Sequence, residues 1–166
     1  PILFLQGTNM TCRDLMMRDF AKTIVKVNDR HHLVLLAEQI LQHIPYQPES
    51  TSVTTSAIDS FYAGQGVCQD HAHVFIAMCR ALQLPARYVS GYLYDQNQPH
   101  LASHAWAEVF VENEWYCFDI SNQIFTPKSH IYVAIGRDYL DVAPVRGVRE
   151  QGGIESMTSS VQVLAC

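Results

Sequence analysis

The stretch GQGVCQDHAHVFIAMCRA, residues 64–81, decides how the rest of the chain is interpreted. Its paired glycines favour a turn, and the residues after them, 67–82, are apolar on most sides, which predicts a buried helix. Cys68 would lie in the first turn of that helix, where unpaired backbone N–H groups and the helix dipole favour a thiolate. A lone cysteine is more often a small buried hydrophobic residue, so this position alone does not make Cys68 a nucleophile.

The composition predicts one folded domain over residues 1–166, because 48% of the residues are hydrophobic and only 16% are charged. The net charge of −5 argues against a nucleic-acid partner. No apolar run approaches the roughly 18 residues that cross a membrane. Five cysteines are spread along the chain without a CxxC pair, so we expect free thiols in a reducing cytoplasm. They are Cys12, Cys68, Cys79, Cys117 and Cys166.

Helices are predicted upstream of the glycine turn. Thr11 and Asp14 resemble a capping box, which predicts a first helix after them. The apolar face of that helix would consist of Cys12, Met16, Phe20, Ile24 and Val27. A second helix is expected between a cap at Asn28 or Asp29 and Pro45, and its apolar residues recur at helical spacing.

Strands are predicted downstream of the central helix. Residues 103–111 alternate, with small apolar side chains on one face and with His104 and Trp106 on the other. The remaining expected elements are a short helix over 56–61, strands over 87–94, 114–120 and 131–135, and a weaker edge strand over 157–164. Helices followed by antiparallel strands indicate an α+β fold, with the helix of Cys68 packed on the sheet.

A thiol nucleophile needs a base, and the base needs a third group that orients it. If residues 112–113 form a two-residue hairpin loop, His104 and Asp119 become diagonal neighbours on one face of the sheet. A register slip by one residue would turn Asp119 to the other face. His104 and Asp119 each have a commoner structural explanation, but together with Cys68 they favour a Cys–His–Asp triad.

These residues resemble a known family. The resemblance is to transglutaminase-like, papain-related proteins of the bacterial type. It rests on the nucleophile motif at 64–73, the segment after it at 84–92, the histidine strand at 103–109, the aspartate strand at 115–119, and the closing motif at 130–131 and 136–144. It extends from about Leu35 to Pro144 and implies a papain-like α+β fold with a triad of Cys68, His104 and Asp119.

Two departures from the family pattern stand out. Where the family usually reads Pro-Thr-Asn after the aspartate, this chain has Ile120-Ser121-Asn122, which could alter the turn but keeps the aspartate and the asparagine. Many relatives also carry a β-rich domain upstream. A chain of this length has no room for such a domain, so we expect that an accessory binding surface is missing.

The triad implies acyl transfer through a thioester, and the sequence offers candidates for the surrounding cleft. The backbone N–H of Cys68 would be half of an oxyanion hole, with Tyr62 and Gln65 as candidates for the second donor. Gly66 would let a substrate carbonyl approach the backbone. Trp106 is expected in the cleft wall because it shares a face with the histidine. The other aromatic residues considered for that wall, more readily placed in the core, are Tyr88, Tyr92, Tyr94 and Trp115.

Three functions remain open. The first is hydrolysis of an amide bond in a protein or peptide substrate, the second is transfer of the same acyl group to an amine, and the third is a catalytically silent binding module. Hydrolysis is the commoner expectation among the bacterial proteins that this chain resembles. A zinc site of Cys68, His71 and His104 is disfavoured because no HExxH motif accompanies it, so we expect no metal and no cofactor.

Two further expectations concern side chains outside the triad. His71 and His73 are expected to line the cleft or to pack along the central helix. Arg137 and Asp138 are expected to form a buried ion pair that fixes the closing loop and has no catalytic role.

Overall fold

The computed structural model describes residues 1–94 and 102–144, together with Val161. The chain begins with a 3-10 helix over Ile2–Leu5. The α-helices are α1 (Leu15–Ile24), α2 (Arg30–His43), α3 (Ala57–Ala63), α4 (Cys68–Ala81) and α5 (Tyr139–Val142). The strands are β1 (Ala86–Leu93), β2 (His104–Val111), β3 (Glu114–Phe118) and β4 (His130–Gly136). The predicted α+β class is confirmed, whereas the edge strand predicted over 157–164 lies outside the described residues apart from Val161.

The four strands form one antiparallel sheet in the order β3-β2-β1-β4. Val111 pairs with Glu114 and Ala107 with Phe118, which is the register that the two-residue loop predicts. Glu112 and Asn113 in that loop have φ angles of 52° and 66°, as a type I′ hairpin requires. The hairpin therefore fixes which residues of β2 and β3 share a face.

Helix α4 lies at the centre of the core. Of its 14 residues 12 are buried, because α1, α2 and α3 cover one side and strands β1 and β2 cover the other. The prediction of a buried helix is confirmed. Cys68, the first residue of α4, is only half-buried, so the N-terminal end of this helix is not enclosed by the core.

A buried arginine near the other end of α4 joins four segments. The Arg80 guanidinium donates hydrogen bonds to the carbonyl oxygens of Phe4, Ala86 and Arg137 and to the hydroxyl of Thr11. Burial lowers the pKa of Arg80 to about 10, so the side chain stays charged at neutral pH. The N-terminal segment, the start of β1 and the segment before α5 are thereby held around α4.

The first helix differs from its prediction in both start and orientation. Asp14, not Thr11, is the N-cap, and its side chain accepts a hydrogen bond from the backbone N–H of Met17 at 2.9 Å. Met17 and Ala21 are buried, whereas Met16 is 61% exposed. The predicted face is confirmed for Phe20 and Ile24, which pack against the core, and wrong for Met16, whose place is taken by Met17. Thr11 does not cap α1, because its hydroxyl bonds to the buried Arg80. The caps of α2 and α3, at residues 29 and 56, are as predicted.

The ion pair predicted in the closing loop is wrong. Arg137 pairs with Asp141, with 2.8 Å between Nε and Oδ2, and both side chains are partly exposed. The Asp138 carboxylate instead caps α5 by accepting a hydrogen bond from the backbone N–H of Asp141. Helix α5 was not predicted, because four residues are too few to show a helical period.

Strand β1 has a glycine where its neighbours leave no room for a side chain. The register between β1 and β4 shifts between Ser90 and Gly91. A Cβ atom at Gly91 would overlap the carbonyl oxygen of Ile131 and would lie 2.7 Å from the ring of Trp106. Both β4 and the Trp106 ring therefore hold their positions only while residue 91 has no side chain.

The substitution Gly91→Ala should destabilise the protein by about 1–3 kcal/mol, because the added methyl group must displace the indole or the backbone of β4. The midpoint of urea unfolding measures this loss. Ser90→Ala, which adds no atom to the same strand, serves as the control and should change stability by less than about 0.5 kcal/mol. Equal unfolding midpoints for the two variants would contradict this account of β1.

Candidate active site

A buried carboxylate fixes the turn that carries the candidate nucleophile. Cys68 follows the N-cap Val67 at the start of α4. The Asp70 side chain accepts a hydrogen bond from the backbone N–H of Val67 at 2.8 Å, and it also accepts from the hydroxyls of Thr51 and Ser60. Asp70 is completely buried, so these three donors stabilise its charge and hold the first turn of the helix in place.

The backbone around Cys68 is suited to bind a negative oxygen atom. Within the part of the chain that the structure describes, the N–H of Cys68 has no hydrogen-bond partner, as expected at the first position of a helix. Gly66 is buried, and a Cβ atom there would lie 2.8 Å from Cβ of Asp70. Gly66 therefore allows close packing on Asp70, while the free N–H group is available to an oxyanion.

The structure brings His104 and Asp119 together at the ends of neighbouring strands. Nε2 of His104, the first residue of β2, lies 2.8 Å from Oδ2 of Asp119, which follows β3. The Asp119 side chain is completely buried and that of His104 is 11% exposed. The Cys68 thiol also helps to raise the pKa of His104. The contact of His104 with Asp119 is thus observed, and the pKa of His104 responds to the third residue of the predicted triad.

The contacts within this group favour a charged state. Burial alone would lower the pKa of His104, but hydrogen bonds to Asp119 and Cys68 and their negative charges raise that pKa to about 9. Burial alone would raise the pKa of Asp119, but the hydrogen bond and charge of His104, together with the N–H groups of Asn122, lower it. An imidazolium beside a carboxylate is the arrangement that these shifts stabilise at neutral pH.

Asn122 completes the turn around the aspartate. Its backbone N–H donates to Oδ1 of Asp119 at 3.2 Å, and its side-chain Nδ2 lies 2.9 Å from Oδ2. The same Nδ2 atom lies 3.2 Å from Nε2 of His104. Asp119 and Ile124 exchange backbone hydrogen bonds, which closes the loop. The carboxylate therefore has a fixed orientation although regular pairing of β3 ends at the preceding residue.

His71 connects the aspartate loop to the nucleophile helix. Its Nε2 lies 2.8 Å from the carbonyl oxygen of Ile44, which can only accept, so Nε2 carries the proton and Nδ1 accepts from the hydroxyl of Ser121 at 2.7 Å. Both ring nitrogens are used, and His71 has none left for the zinc site considered with Cys68 and His104. Burial lowers the pKa of His71, in agreement with a neutral ring.

A second histidine contacts the same carboxylate. His130, the first residue of β4, has a completely buried side chain whose Nε2 lies 3.1 Å from Oδ2 of Asp119. Among the described residues, His104, Asp119 and His130 are the one group of metal-ligating types brought together, but their facing atoms are hydrogen-bonded to each other. Sequence reasoning gave His130 no role, because the sequence does not show that β4 pairs with β1.

The structure shows the surroundings of three residues that were expected around the cleft. Trp106 was wrongly expected in its wall, since it is completely buried and stacks beneath His104 with 5.9 Å between ring centroids. The hydroxyl of Tyr62 is bonded to the carboxylate of Asp14. Gln65 is exposed and has no hydrogen bond to another described residue, so it remains a candidate for the second oxyanion donor.

Tyr46 and His73 lie near the first turns of α4. Tyr46 forms a β-bridge with Gly66 and is 51% exposed. Partial burial and the charge of Cys68 raise the pKa of Tyr46. Of the two positions expected for His73, the structure shows packing along the central helix, because the side chain is completely buried and accepts a hydrogen bond from the backbone N–H of Tyr139. Burial lowers the pKa of His73 to about 4.

The other described cysteines are poorly placed for nucleophilic attack. Burial raises the pKa of Cys79, and it raises the pKa of Cys117 to about 12. Cys12 is half-buried and precedes α1 instead of belonging to its inner face. All four described cysteines are free.

Sequence comparison connects the chain to a superfamily and to longer proteins. The sequence model of the transglutaminase-like superfamily matches residues 18–120. An uncharacterized protein of Mycobacterium leprae is 31% identical, over 96% of this chain and 59% of its own length. An uncharacterized protein of Mycobacterium tuberculosis is 38% identical, over 68% of this chain and 40% of its own length. The chain thus spans about half the length of the curated relatives it matches.

Structural comparison gives neighbours with the same fold. A candidate cysteine protease from Cytophaga hutchinsonii superposes with a TM-score of 0.75 and 32% identity, over 86% of this chain and 48% of that protein. The periplasmic domain of TgpA from Pseudomonas aeruginosa has a TM-score of 0.51 and 24% identity, over 72% and 46% of the two chains. Among the helices that the structure describes here, none is long and apolar enough to cross a bilayer.

The pKa shifts predict how the His104–Asp119 contact contributes to stability. The pKa of His104 is raised from 6.5 to about 9, so its contribution is complete below pH 6.5 and is lost as pH rises through about 9. The pKa of Asp119 is lowered, so its contribution is present above the ordinary aspartate value of 3.8 and is lost as pH falls further. The contributions of His104 and Asp119 to stability are therefore both present between about pH 3.8 and pH 6.5.

Wild-type protein should therefore exceed His104→Gln in free energy of unfolding by the largest amount near pH 5.5. The part of that difference due to protonation should be on the order of 3 kcal/mol and should decline toward pH 10. Urea unfolding of both proteins across this range measures the difference. A difference that does not change with pH would contradict the assignment of an imidazolium at residue 104.

Proposed function

This chain belongs to the transglutaminase-like superfamily, and from that premise we propose that it is a thiol enzyme that hydrolyses peptide or side-chain amide bonds. Cys68 would be the nucleophile, His104 the acid and base, and Asp119 the residue that orients His104. The observation that carries the proposal is the 2.8 Å contact of a buried carboxylate with a histidine whose pKa is also raised by the Cys68 thiol. The substrate class proposed is a protein or a peptide.

The first half of the reaction forms an acyl-enzyme. The Cys68 thiolate attacks the amide carbonyl carbon and forms a C–S bond, while the carbonyl oxygen becomes an oxyanion that the free N–H of Cys68 can bind. Because Nε2 of His104 faces Asp119, Nδ1 is the nitrogen directed at the thiol. When the C–N bond breaks, His104 gives its proton to the departing amine and becomes neutral.

The second half releases the acid. Neutral His104 takes a proton from water, the water oxygen attacks the thioester carbon, and the C–S bond breaks to regenerate the Cys68 thiolate and the imidazolium. A primary amine in place of water would give transfer instead of hydrolysis from the same acyl-enzyme. Similarity to a candidate cysteine protease, at 32% identity and a TM-score of 0.75, supports water as the acceptor.

We propose a cytoplasmic location for this activity. All four described cysteines are free, which is compatible with a reducing compartment. The reaction needs no metal or organic cofactor, because the thiol and the imidazole supply both the nucleophile and the proton transfers.

Cys68 should be the first thiol to react with iodoacetamide near pH 6. A thiolate paired with an imidazolium reacts at a pH where an ordinary thiol, with a pKa near 8.5, is almost wholly protonated. Burial and raised pKa values protect Cys79 and Cys117. Peptide mass spectrometry of briefly treated native protein gives the order of labelling. His104→Ala should slow labelling of Cys68 sharply, and faster labelling of Cys12 would refute the activated thiol.

Asp119→Ala should reduce turnover by roughly 10²–10⁴-fold, because the ring of His104 loses the group that orients it. The assay incubates a peptide library with the protein, with and without an added primary amine, and identifies products by mass spectrometry. New carboxylic acids in both reactions support hydrolysis, whereas amine adducts would replace it with transfer. The absence of both products from wild-type protein would leave the binding-module hypothesis in place of the enzyme.

A further inference from the structure

The carboxylate oxygen that faces the candidate base accepts from three side chains at once. Oδ2 of Asp119 lies 2.8 Å from Nε2 of His104, 3.1 Å from Nε2 of His130 and 2.9 Å from Nδ2 of Asn122. In the proposed reaction only one of these donors moves a proton. The other histidine comes from a different strand and has no part in that proton transfer, so its presence needs a separate explanation.

We infer that His130 is a positioning residue for the proposed reaction: by donating a hydrogen bond to Asp119, it holds the carboxylate in place and limits how tightly His104 keeps its proton. This inference rests on the proposed function. It assigns His130 no contact with substrate and no proton transfer of its own.

The protonation of His130 follows from its surroundings. Its Nδ1 is buried and has no hydrogen-bond partner among the described residues. Because a carboxylate oxygen can only accept, Nε2 carries the ring proton, and Nδ1 has no acceptor that would stabilise a second one. His130 is therefore a neutral donor, and its hydrogen bond to Asp119 is the one polar contact that the ring makes within the described structure.

The two histidine rings are held by one indole. Trp106 contacts His130 edge to face, with 4.7 Å between centroids and an interplanar angle of 80°. The same ring is stacked on His104 at 5.9 Å and 29°. Trp106 is completely buried, and Gly91 leaves the space that its ring occupies. Asp119 thus lies between two rings that belong to β2 and β4, and both rings pack against the same indole.

A neutral donor on Oδ2 weakens the attraction between that oxygen and an imidazolium. The positive end of the His130 N–H bond draws negative charge toward itself and lies close to the Nε2–H of His104. Removing this donor would concentrate the charge on the side of His104, which would then keep its proton to higher pH and release it less readily to the leaving amine. The titratable groups that face His104 are Cys68 from α4, Asp119 after β3 and His130 from β4.

The test is the titration of His104, followed by NMR with nitrogen-15-labelled histidine in three proteins. In His130→Phe the ring volume is kept and the donor is lost, so the midpoint of His104 should rise by about half a unit to one unit. In His130→Gln the side-chain amide can donate in place of Nε2, and the midpoint should stay near that of wild type. An unchanged midpoint in His130→Phe, or an equal rise in His130→Gln, would overturn the inference.

Turnover adds a second readout. His130→Phe should lower kcat by about tenfold with little change in KM and should move the alkaline limit of activity upward, while His130→Gln restores both. His43→Phe is the matched control, because His43 bonds to the carbonyl oxygen of Phe61 and does not contact the triad. A loss in His130→Phe without any shift of the pH profile would overturn the positioning role.

Folding of each variant is checked by circular dichroism. If His130→Phe does not fold, His130→Met removes the same donor with a more adaptable side chain. Failure of both variants to fold would overturn the inference in favour of a purely structural residue. The titration needs no substrate, so a wild-type protein without hydrolytic activity would refute the proposed function, while the shift of the His104 midpoint would still decide the role of His130.

Discussion

The candidate site depends on a carboxylate that has been removed from water. Asp119 is completely buried, and an isolated charge in that position would destabilise the fold by several kcal/mol. Every neighbour that offsets this cost is an N–H donor: the imidazoles of His104 and His130, and the side chain and backbone of Asn122. These donors come from β2, from β4 and from the loop after β3. Because one buried charge needs all of these donors, their hydrogen bonds fix the positions of β2, β4 and the loop after β3 relative to each other.

A second buried carboxylate does the same for the helical half of the protein. Asp70 accepts hydrogen bonds from the backbone N–H of Val67 and from the hydroxyls of Thr51 and Ser60. It thereby fixes the first turn of α4, as Asp119 fixes the histidine on β2. Helix α4 packs against β1 and β2, so these two fixed segments belong to one packed unit. In the proposed reaction, the thiol and the imidazole would thus be positioned before any substrate arrives, which lowers the cost of reaching the transition state.

Features that depend on neighbouring residues in the chain were predicted correctly from the sequence. The two positive-φ residues at 112 and 113 set the hairpin, and with it the register that makes His104 and Asp119 neighbours. Prediction from the sequence failed for side chains whose surroundings come from distant segments of the chain. Trp106 alternates with apolar residues as an exposed cleft residue would, yet the rings of His130 and Tyr132 from β4 pack against it, so it is buried. The contact of His130 with the aspartate likewise follows from the pairing of β4 with β1, for which the sequence contains no local signal.

After the aspartate, this chain has Ile120-Ser121 where the family usually has Pro-Thr. The site stays intact because Ile120 and Ser121 make the same kinds of contact that a proline and a threonine would make. Ile120 is buried in the core, where an aliphatic side chain can fill the space of a proline. Ser121 keeps the hydroxyl of the family's threonine, and that hydroxyl donates to Nδ1 of His71 on α4. His71 in turn donates to the carbonyl oxygen of Ile44 at the end of α2. The aspartate loop is thereby joined to two helices, so the distance between Asp119 and the start of α4 does not depend on the sheet alone.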